Sequence, residues 1–257
     1  MKNLRILCFG LATILLVTLG CSSESMTAAG VNSSYSSMIT VGNFLYQVDP
    51  VFIITYDVSD PADPIEIDRQ ELGFEIETVY HFGGVLFVGS ARALYIFEID
   101  EKGIPVEKSE TVYDTFEANQ TPCDPVVSDG QFAYVTLSTT TTNPTSACFR
   151  PEPFNMLFVY DISNISEPKL VVEQELNEPK GLSLDGDYLF VCDGSNGLVI
   201  FDKSDINNLT KISHLQDGYA RDVIAREDHL IVIGLDELRQ YDYSDITSIM
   251  ELGTLML

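Results

Sequence analysis

Short apolar runs recur along this chain in pairs, at a spacing of about forty residues. The first run of each pair is aromatic-aliphatic: FLYQV at 44–48, VLFV at 85–88, FAYV at 132–135, YLFV at 188–191 and HLIV at 229–232. The second ends in an aromatic–acid step: IITYD at 53–57, LYIFE at 94–98, LFVYD at 157–161, LVIFD at 198–202 and LRQYD at 238–242. The closing acids, Asp57, Glu98, Asp161, Asp202 and Asp242, stand 41, 63, 41 and 40 residues apart. A turn residue (Gly42, Gly83, Gly186 or Glu227) precedes its acid by 15 or 16 positions. From Gly130 the distance is 31, so the third unit carries an insertion of about 16 residues, Ser138–Pro153. A fixed period in this range marks an array of like supersecondary units.

The runs are rich in Val, Ile, Phe and Tyr and bounded by Gly, Asp, Asn or Pro, which are strand signals. No segment after the first twenty residues shows helical periodicity over a dozen positions. Each unit supplies four strands. In the fourth unit these are Leu182–Leu184, Tyr188–Cys192, Leu198–Asp202 and Thr210–His214, and the last unit ends on Ile249–Leu255. Asp-Gly at 129–130 and 185–186, with Gly83-Gly84, is hairpin chemistry, because both central residues must tolerate positive φ. A second signature follows the acid-ended runs: Asp57-Val-Ser59, Asp161-Ile-Ser163, Asp202-Lys-Ser204 and Asp242-Tyr-Ser244. Short Asp and Ser side chains bond nearby amides and shape a turn. Acids that recur at one structural position in every unit are better explained as such caps than as metal ligands or catalysts. Pro61, Pro64 and Pro168 then stop further pairing.

Tyr188-Leu-Phe-Val and Leu198-Val-Ile-Phe are apolar on consecutive residues, the pattern of strands buried on both faces. Four-stranded antiparallel sheets that are covered on both faces and repeated in sequence describe the blades of a β-propeller. The expected fold is therefore all-β, with five four-stranded blades over residues 38–257. FIITYDVS (52–59), LFVYDIS (157–163) and LVIFDKS (198–204) resemble the repeat of the LVIVD family of exported bacterial β-propeller lipoproteins. So do CDPVV (123–127) with AYVTL (133–137), and LFVCDG (189–194) with GLVIFD (197–202). The resemblance implies a propeller and no particular activity, since function resides in sites grafted onto a fold. No strand exchange between the last unit and the first is evident; residues 30–37 are the segment that could supply one.

The first twenty residues stand outside the repeat. Lys2 and Arg5 form a basic start, Ile6 to Leu19 an apolar stretch of 14, and Gly20-Cys21 closes it. That stretch is shorter than the roughly 20 residues a bilayer span needs and has the layout of a secretory signal. Thr18-Leu-Gly-Cys21 resembles the lipobox of bacterial lipoproteins, although Thr18 stands where the pattern has Leu or Val. The resemblance implies lipidation of Cys21, with the Ser-rich stretch 21–37 as a flexible tether. The expected address is the bacterial cell envelope, lipid-anchored, on the outer membrane. The chain carries a net charge of −25, or −27 once Lys2 and Arg5 leave with the signal. Such a surface disfavours nucleic acid and electrostatic docking on anionic lipid.

Of the five cysteines, Cys8 leaves with the signal and Cys21 is the lipidation candidate; Cys192 lies in an apolar run, where a small buried hydrophobe is expected. Cys123 and Cys148 are left as a disulfide pair, in an oxidising compartment. In a propeller the inter-blade connections and the loops between second and third strands share one face. Aligning the units places Asp124, Lys180 and Arg221 at one position at the head of the innermost strand, with Glu77 and Asp222 one residue later. Arg92 and Arg150 come from the other loops of that face. A mixed-charge ring at the channel mouth follows, either a polar binding site or charges that solvate and pair across the channel.

Asp193-Gly-Ser-Asn-Gly197 has the composition of a calcium loop but lacks the distant bidentate Glu. His81, His214 and His229 fall at different places in their units, which argues against zinc. No P-loop, dinucleotide fingerprint or Gly-x-Ser-x-Gly elbow is present. No cofactor, metal or catalytic residue is therefore assigned. The expected function is a non-catalytic binding or scaffolding module with a protein or glycan partner, for which Tyr can stack on sugar rings in the absence of Trp. The alternative is an envelope hydrolase or lyase at the channel mouth.

Overall fold

The computed structural model describes residues 35–73, 76–90, 92–113, 125–139 and 153–257. Among these, twenty strands form five four-stranded antiparallel sheets, each consecutive in sequence. Blade one comprises β1 (Met38–Val41), β2 (Phe44–Val48), β3 (Phe52–Asp57) and β4 (Ile65–Glu71). Blade two is β5 (Ile76–Phe82), β6 (Val85–Ser90), β7 (Ala93–Ile99) and β8 (Pro105–Val112). Blade three is β9 (Val126–Ser128), β10 (Phe132–Leu137), β11 (Met156–Asp161) and β12 (Lys169–Glu175). Blade four is β13 (Leu182–Asp185), β14 (Tyr188–Cys192), β15 (Leu198–Asp202) and β16 (Thr210–Leu215), and blade five is β17 (Asp222–Arg226), β18 (His229–Ile233), β19 (Glu237–Asp242) and β20 (Met250–Met256). The blade count and the strand pattern are those the period predicts. No helix among the described residues is long and apolar enough to cross a membrane.

Local chemistry accounts for the hairpins and turns. In the second blade Gly83 and Gly84 take φ of 58° and 83°. In the fifth, Glu227 and Asp228 adopt φ of 48° and 65° without glycine's freedom, at a cost of about 1 kcal/mol each. The four Asp-x-Ser turns are caps, as expected: Oδ1 of Asp57, Asp161, Asp202 and Asp242 each accepts the backbone N–H of the serine two residues on, all at 2.9 Å. Hydrogen bonds from these serines, side chain first and amide second, hold the four carboxyls below their ordinary range. A register shift between third and fourth strands recurs at the same repeat position in all five blades. It twists each outermost strand in the same way.

Innermost strands pack in chain order: β1 on β5, β5 on β9, β9 on β13 and β13 on β17. Each blade thus offers a trailing face to the next blade and a leading face to the one before. Tyr46, Val48 and Ile53 of blade one meet Leu86, Val88, Tyr95 and Phe97 of blade two in one core. A second core runs through blades two, three and four, and a third joins Phe190, Cys192, Leu198 and Ile200 of blade four to Leu230, Val232 and Tyr241 of blade five. Among the described residues no core joins blade five to blade one, and β17 and β1 share no comparable packing. Of the segment that could supply a strand exchange, residues 30–34 lie outside the described residues. Its Ser36 carbonyl accepts from Val79 N–H at 2.7 Å and its Ser37 carbonyl from Val48 N–H at 2.8 Å, which ties it to blades two and one.

Candidate functional site

The inter-blade connections are held in place by backbone bonds. Lys180 N–H donates to the Cys192 carbonyl at 2.7 Å, and the Lys180 carbonyl accepts from Thr136 Oγ1 at 2.6 Å. Arg221 N–H donates to the Ile233 carbonyl at 2.8 Å, while its own carbonyl accepts from Gly181 N–H at 2.9 Å. Gly181 is required by the close approach of these two connections, because a Cβ there would overlap the Asp222 carboxylate. Glu77 sits in an irregularity of β5, between Ile76 and Thr78, that turns it out of the strand pairing.

Three of the predicted residues come together around one that lay in the expected tether. The Tyr35 phenol is surrounded by Asp222, Cys192, Glu77 and Arg221. Burial first, and then the two carboxylates and the thiol, push it well above the usual tyrosine range, while Arg221 pulls the other way. Lys180 turns aside: its Nζ lies 3.3 Å from Ser138 Oγ and 3.3 Å from Glu178 Oε1. Arg92 is separate too, lining a cavity of about 210 Å³ with Leu72, Tyr95 and Glu110 between blades one and two. Asp124 and Arg150 of the predicted face, the Cys123–Cys148 pair and Cys21 lie outside the described residues.

Next to Tyr35 runs a network with no counterpart in the sequence reading. Tyr219 Oη donates to Glu178 Oε1 at 3.0 Å, and its phenol is pushed up to about 12 by burial and then by Glu178. The connection that carries Tyr219 and Arg221 is anchored by Arg239, whose side chain is 4% exposed. Its guanidinium donates to Asp217 Oδ1 at 3.0 Å and to the Tyr219 carbonyl at 2.7 Å, and pairs with Glu237 at 3.2 Å. Tyr241 Oη donates to Asp217 Oδ2 at 2.8 Å, completing the clamp. A signal for this existed: Arg239 interrupts LRQYD at the position held by Ile54, Tyr95, Phe158 and Val199 in the other units.

The Asp193–Gly197 loop is a structural hub. Asp193 is buried; its Oδ1 accepts Asn177 and Glu178 N–H at 2.9 and 2.7 Å, and its Oδ2 accepts from Asn196 Nδ2 at 2.6 Å. Those bonds fasten the connection between blades three and four to the blade-four loop. Gly194, at φ 57°, lets Glu178 cross it, since a Cβ would overlap that carboxylate. A cavity of about 530 Å³ opens beside this hub, between blades three and four, with Asn177, Asp193, Asn196 and Lys211 over a floor of Val199 and Phe201. Cys192 is fully buried, and burial together with Asp222 pushes its thiol well up. Among the described residues no group of three or more His, Cys, Asp or Glu side chains is placed to hold a metal ion.

Comparison with known proteins bears on the fold. Residues 154–174 and 179–214 match the LVIVD repeat. No curated protein matches the sequence. A crystal structure of a Lactobacillus plantarum protein aligns with a TM-score of 0.63 at 14% identity, over 82% of this chain and 67% of that one. A functionally unknown protein of Desulfotomaculum acetoxidans aligns at 0.62 and 9% identity, over 86% and 69%. The periplasmic gluconolactonase PpgL of Pseudomonas aeruginosa aligns at 0.61 and 14% identity, over 84% and 68%. At such identities the likeness shows the fold alone.

Proposed function

This chain is a β-propeller that carries LVIVD repeats, and we propose that it serves as a non-catalytic binding or scaffolding module of the bacterial cell envelope. In this reading a lipid on Cys21 anchors it, on the outer membrane, and the channel-mouth face meets a protein or glycan partner. One observation carries the preference for binding over chemistry. Among the described residues at the mouth, the Cys192 thiol and the Tyr35 and Tyr219 phenols are pushed up and held protonated by burial and neighbouring acids. A nucleophile is activated the opposite way, by a lowered pKa or an adjacent base. The network is instead suited to holding Arg221 and Tyr219 in place on a rigid support.

A hydrolase or lyase built on Glu77, Arg221 and Asp222 is the second reading, with a counterpart of the same fold in the gluconolactonase. Capture of envelope extracts on the wild-type protein and on Arg221→Glu separates the two, with Glu101→Lys, in the hairpin of the opposite face, as control. Binding predicts a ligand or partner retained by wild type and Glu101→Lys and lost from Arg221→Glu. A substrate turnover abolished by Arg221→Ala in a folded protein overturns it. Lipidation is read from the intact mass of the mature protein, which carries a diacylglyceryl-sized increment on Cys21 if the anchor is right.

A further inference from the structure

One position of the repeat decides whether the cleft between two blades is closed. At three of the four junctions described above, a side chain of the third strand crosses that cleft to the residue just after the preceding blade's fourth strand. Tyr95 Oη donates to the Leu72 carbonyl at 2.9 Å, the Phe158 ring packs on Tyr113 with centroids 6.4 Å apart, and the Arg239 guanidinium donates to Asp217 Oδ1 at 3.0 Å. Between blades three and four the same position is Val199, and the residue opposite is Leu176. Its short side chain leaves open a cavity of about 530 Å³, against about 210 Å³ in the equivalent cleft that Tyr95 enters. We propose that this cleft is a second binding site, for a neutral saccharide.

The chemistry of the walls selects that class. Val199 and Phe201 form an apolar floor on which the C–H face of a sugar ring can rest, and Gln174, Asn177 and Asn196 bring three amides to the sides. Each amide offers both donors and an acceptor, the complement of a hydroxyl, which also does both. Lys211 and Glu175 add one charge of each sign, so the walls ask for no net charge on the ligand. The chain's own net charge of −25 repels an anionic one. The volume lies within the ~300–1,000 Å³ of small-molecule sites.

The walls are also fixed before any ligand arrives. Asp193 accepts the Asn177 N–H at 2.9 Å and holds the Asn196 side chain at 2.6 Å, while His214 Nε2 meets the Asn196 carbonyl at 2.7 Å. Two of the three amides thus stand on supports that cost little further ordering on binding. The site goes beyond the mouth-face partner proposed above, since none of Tyr35, Glu77, Arg221 and Asp222 lines it.

Calorimetry on the full-length protein with maltose, cellobiose, lactose and N,N′-diacetylchitobiose is expected to show at least one binding with a Kd of about 1 mM or below. Methyl NMR locates it: Leu176, Val199 and Leu209 shift, and Leu230 of blade five does not. Val199→Tyr, checked for fold by circular dichroism, refills the cleft in the manner of Tyr95 and weakens binding at least ~tenfold, whereas Val199→Ala keeps the cleft open and retains it. Asn177→Ala, at an exposed position, weakens binding without disturbing the fold, and Glu101→Lys on the opposite face leaves it unchanged. The proposal is overturned if none of the four sugars binds at about 10 mM, if Val199→Tyr and Asn177→Ala both bind as wild type does, or if trialanine and no sugar shifts those methyls. All of these are read on purified protein, so they stand or fall apart from the capture of an envelope partner through Arg221.

Discussion

Blades four and five are built from the same repeat and differ in what surrounds them. In β14 and β15 every residue but Tyr188 and Asp202 is buried, on both faces. In β18 burial alternates, with Leu230 and Val232 covered and Ile231 and Ile233 half-open. These second strands read YLFVC and HLIVI, equally apolar over their last four positions. The difference is the neighbour: blade four lies between two sheets and blade five against one. Apolar sequence thus sets which side chains can be buried, and the count of adjacent blades sets which ones are.

The comparison is tested most strongly by truncating matched positions. Phe190, fully buried between blades four and five, should lose about 3–5 kcal/mol on change to Ala. Ile231, its equivalent on the open face, should lose only about 1 kcal/mol on the same change, since half its area already faces water. Urea midpoints at unchanged m-value report both, and equal losses would break the distinction. In blade three, the proposed Cys123–Cys148 bridge closes a loop of 26 residues and should contribute about 3 kcal/mol. Peptide mapping without reductant should find the two joined, and free thiols at both would refute it.

A smaller effect is expected where blades three and four are tied on the opposite face. Asp129 accepts from Phe132 N–H, Tyr134 Oη and Lys203 Nζ at 2.8, 2.9 and 3.0 Å, with the Lys203 side chain 10% exposed and that of Asp129 25%. Asp129→Ala should cost about 1–2 kcal/mol, less than a fully buried pair because water reaches the carboxylate. Burial pushes Asp129 up, but the Phe132 amide and Lys203 outweigh it and hold the carboxyl below its ordinary value. Its contribution is therefore complete above the unfolded value near 3.9 and lost as pH falls through the folded one. Thermal melts below about pH 4 should fall less steeply in Asp129→Asn than in wild type.

At the alkaline end the tyrosines act in reverse. Tyr80 is pushed up to about 12 by burial and then by Asp129, and Tyr95 to about 12 by burial and then by Glu110. Stability from these phenols is whole below the unfolded value near 10 and lost as pH rises toward 12. Tyrosinate formation followed by ultraviolet absorbance should coincide with unfolding. Ionisation in a protein that stays folded would contradict the burial of these rings.

Much of the architecture was legible because it rests on short-range physics. Hairpin dipeptides, Asp-x-Ser caps and runs of β-branched and aromatic residues act within a few positions, and each recurs often enough to give the period. The site was legible only in part. Glu77, Arg221 and Asp222 could be aligned by their place in the repeat. Lys180 turned to Glu178, and Arg92 to the cleft between blades one and two, because partners from neighbouring connections decide where a long side chain points.

The sequence by itself determined five four-stranded units, the paired inner runs of each and the capping of their turns, since every such choice is made between residues close in the chain. The tertiary structure alone decided that Tyr35 leaves the tether to stand among the acids of the channel mouth, and that Arg239 is buried as a clamp. Those outcomes depend on contacts between residues as much as 187 positions apart, such as Tyr35 and Asp222, where no local pattern carries the information.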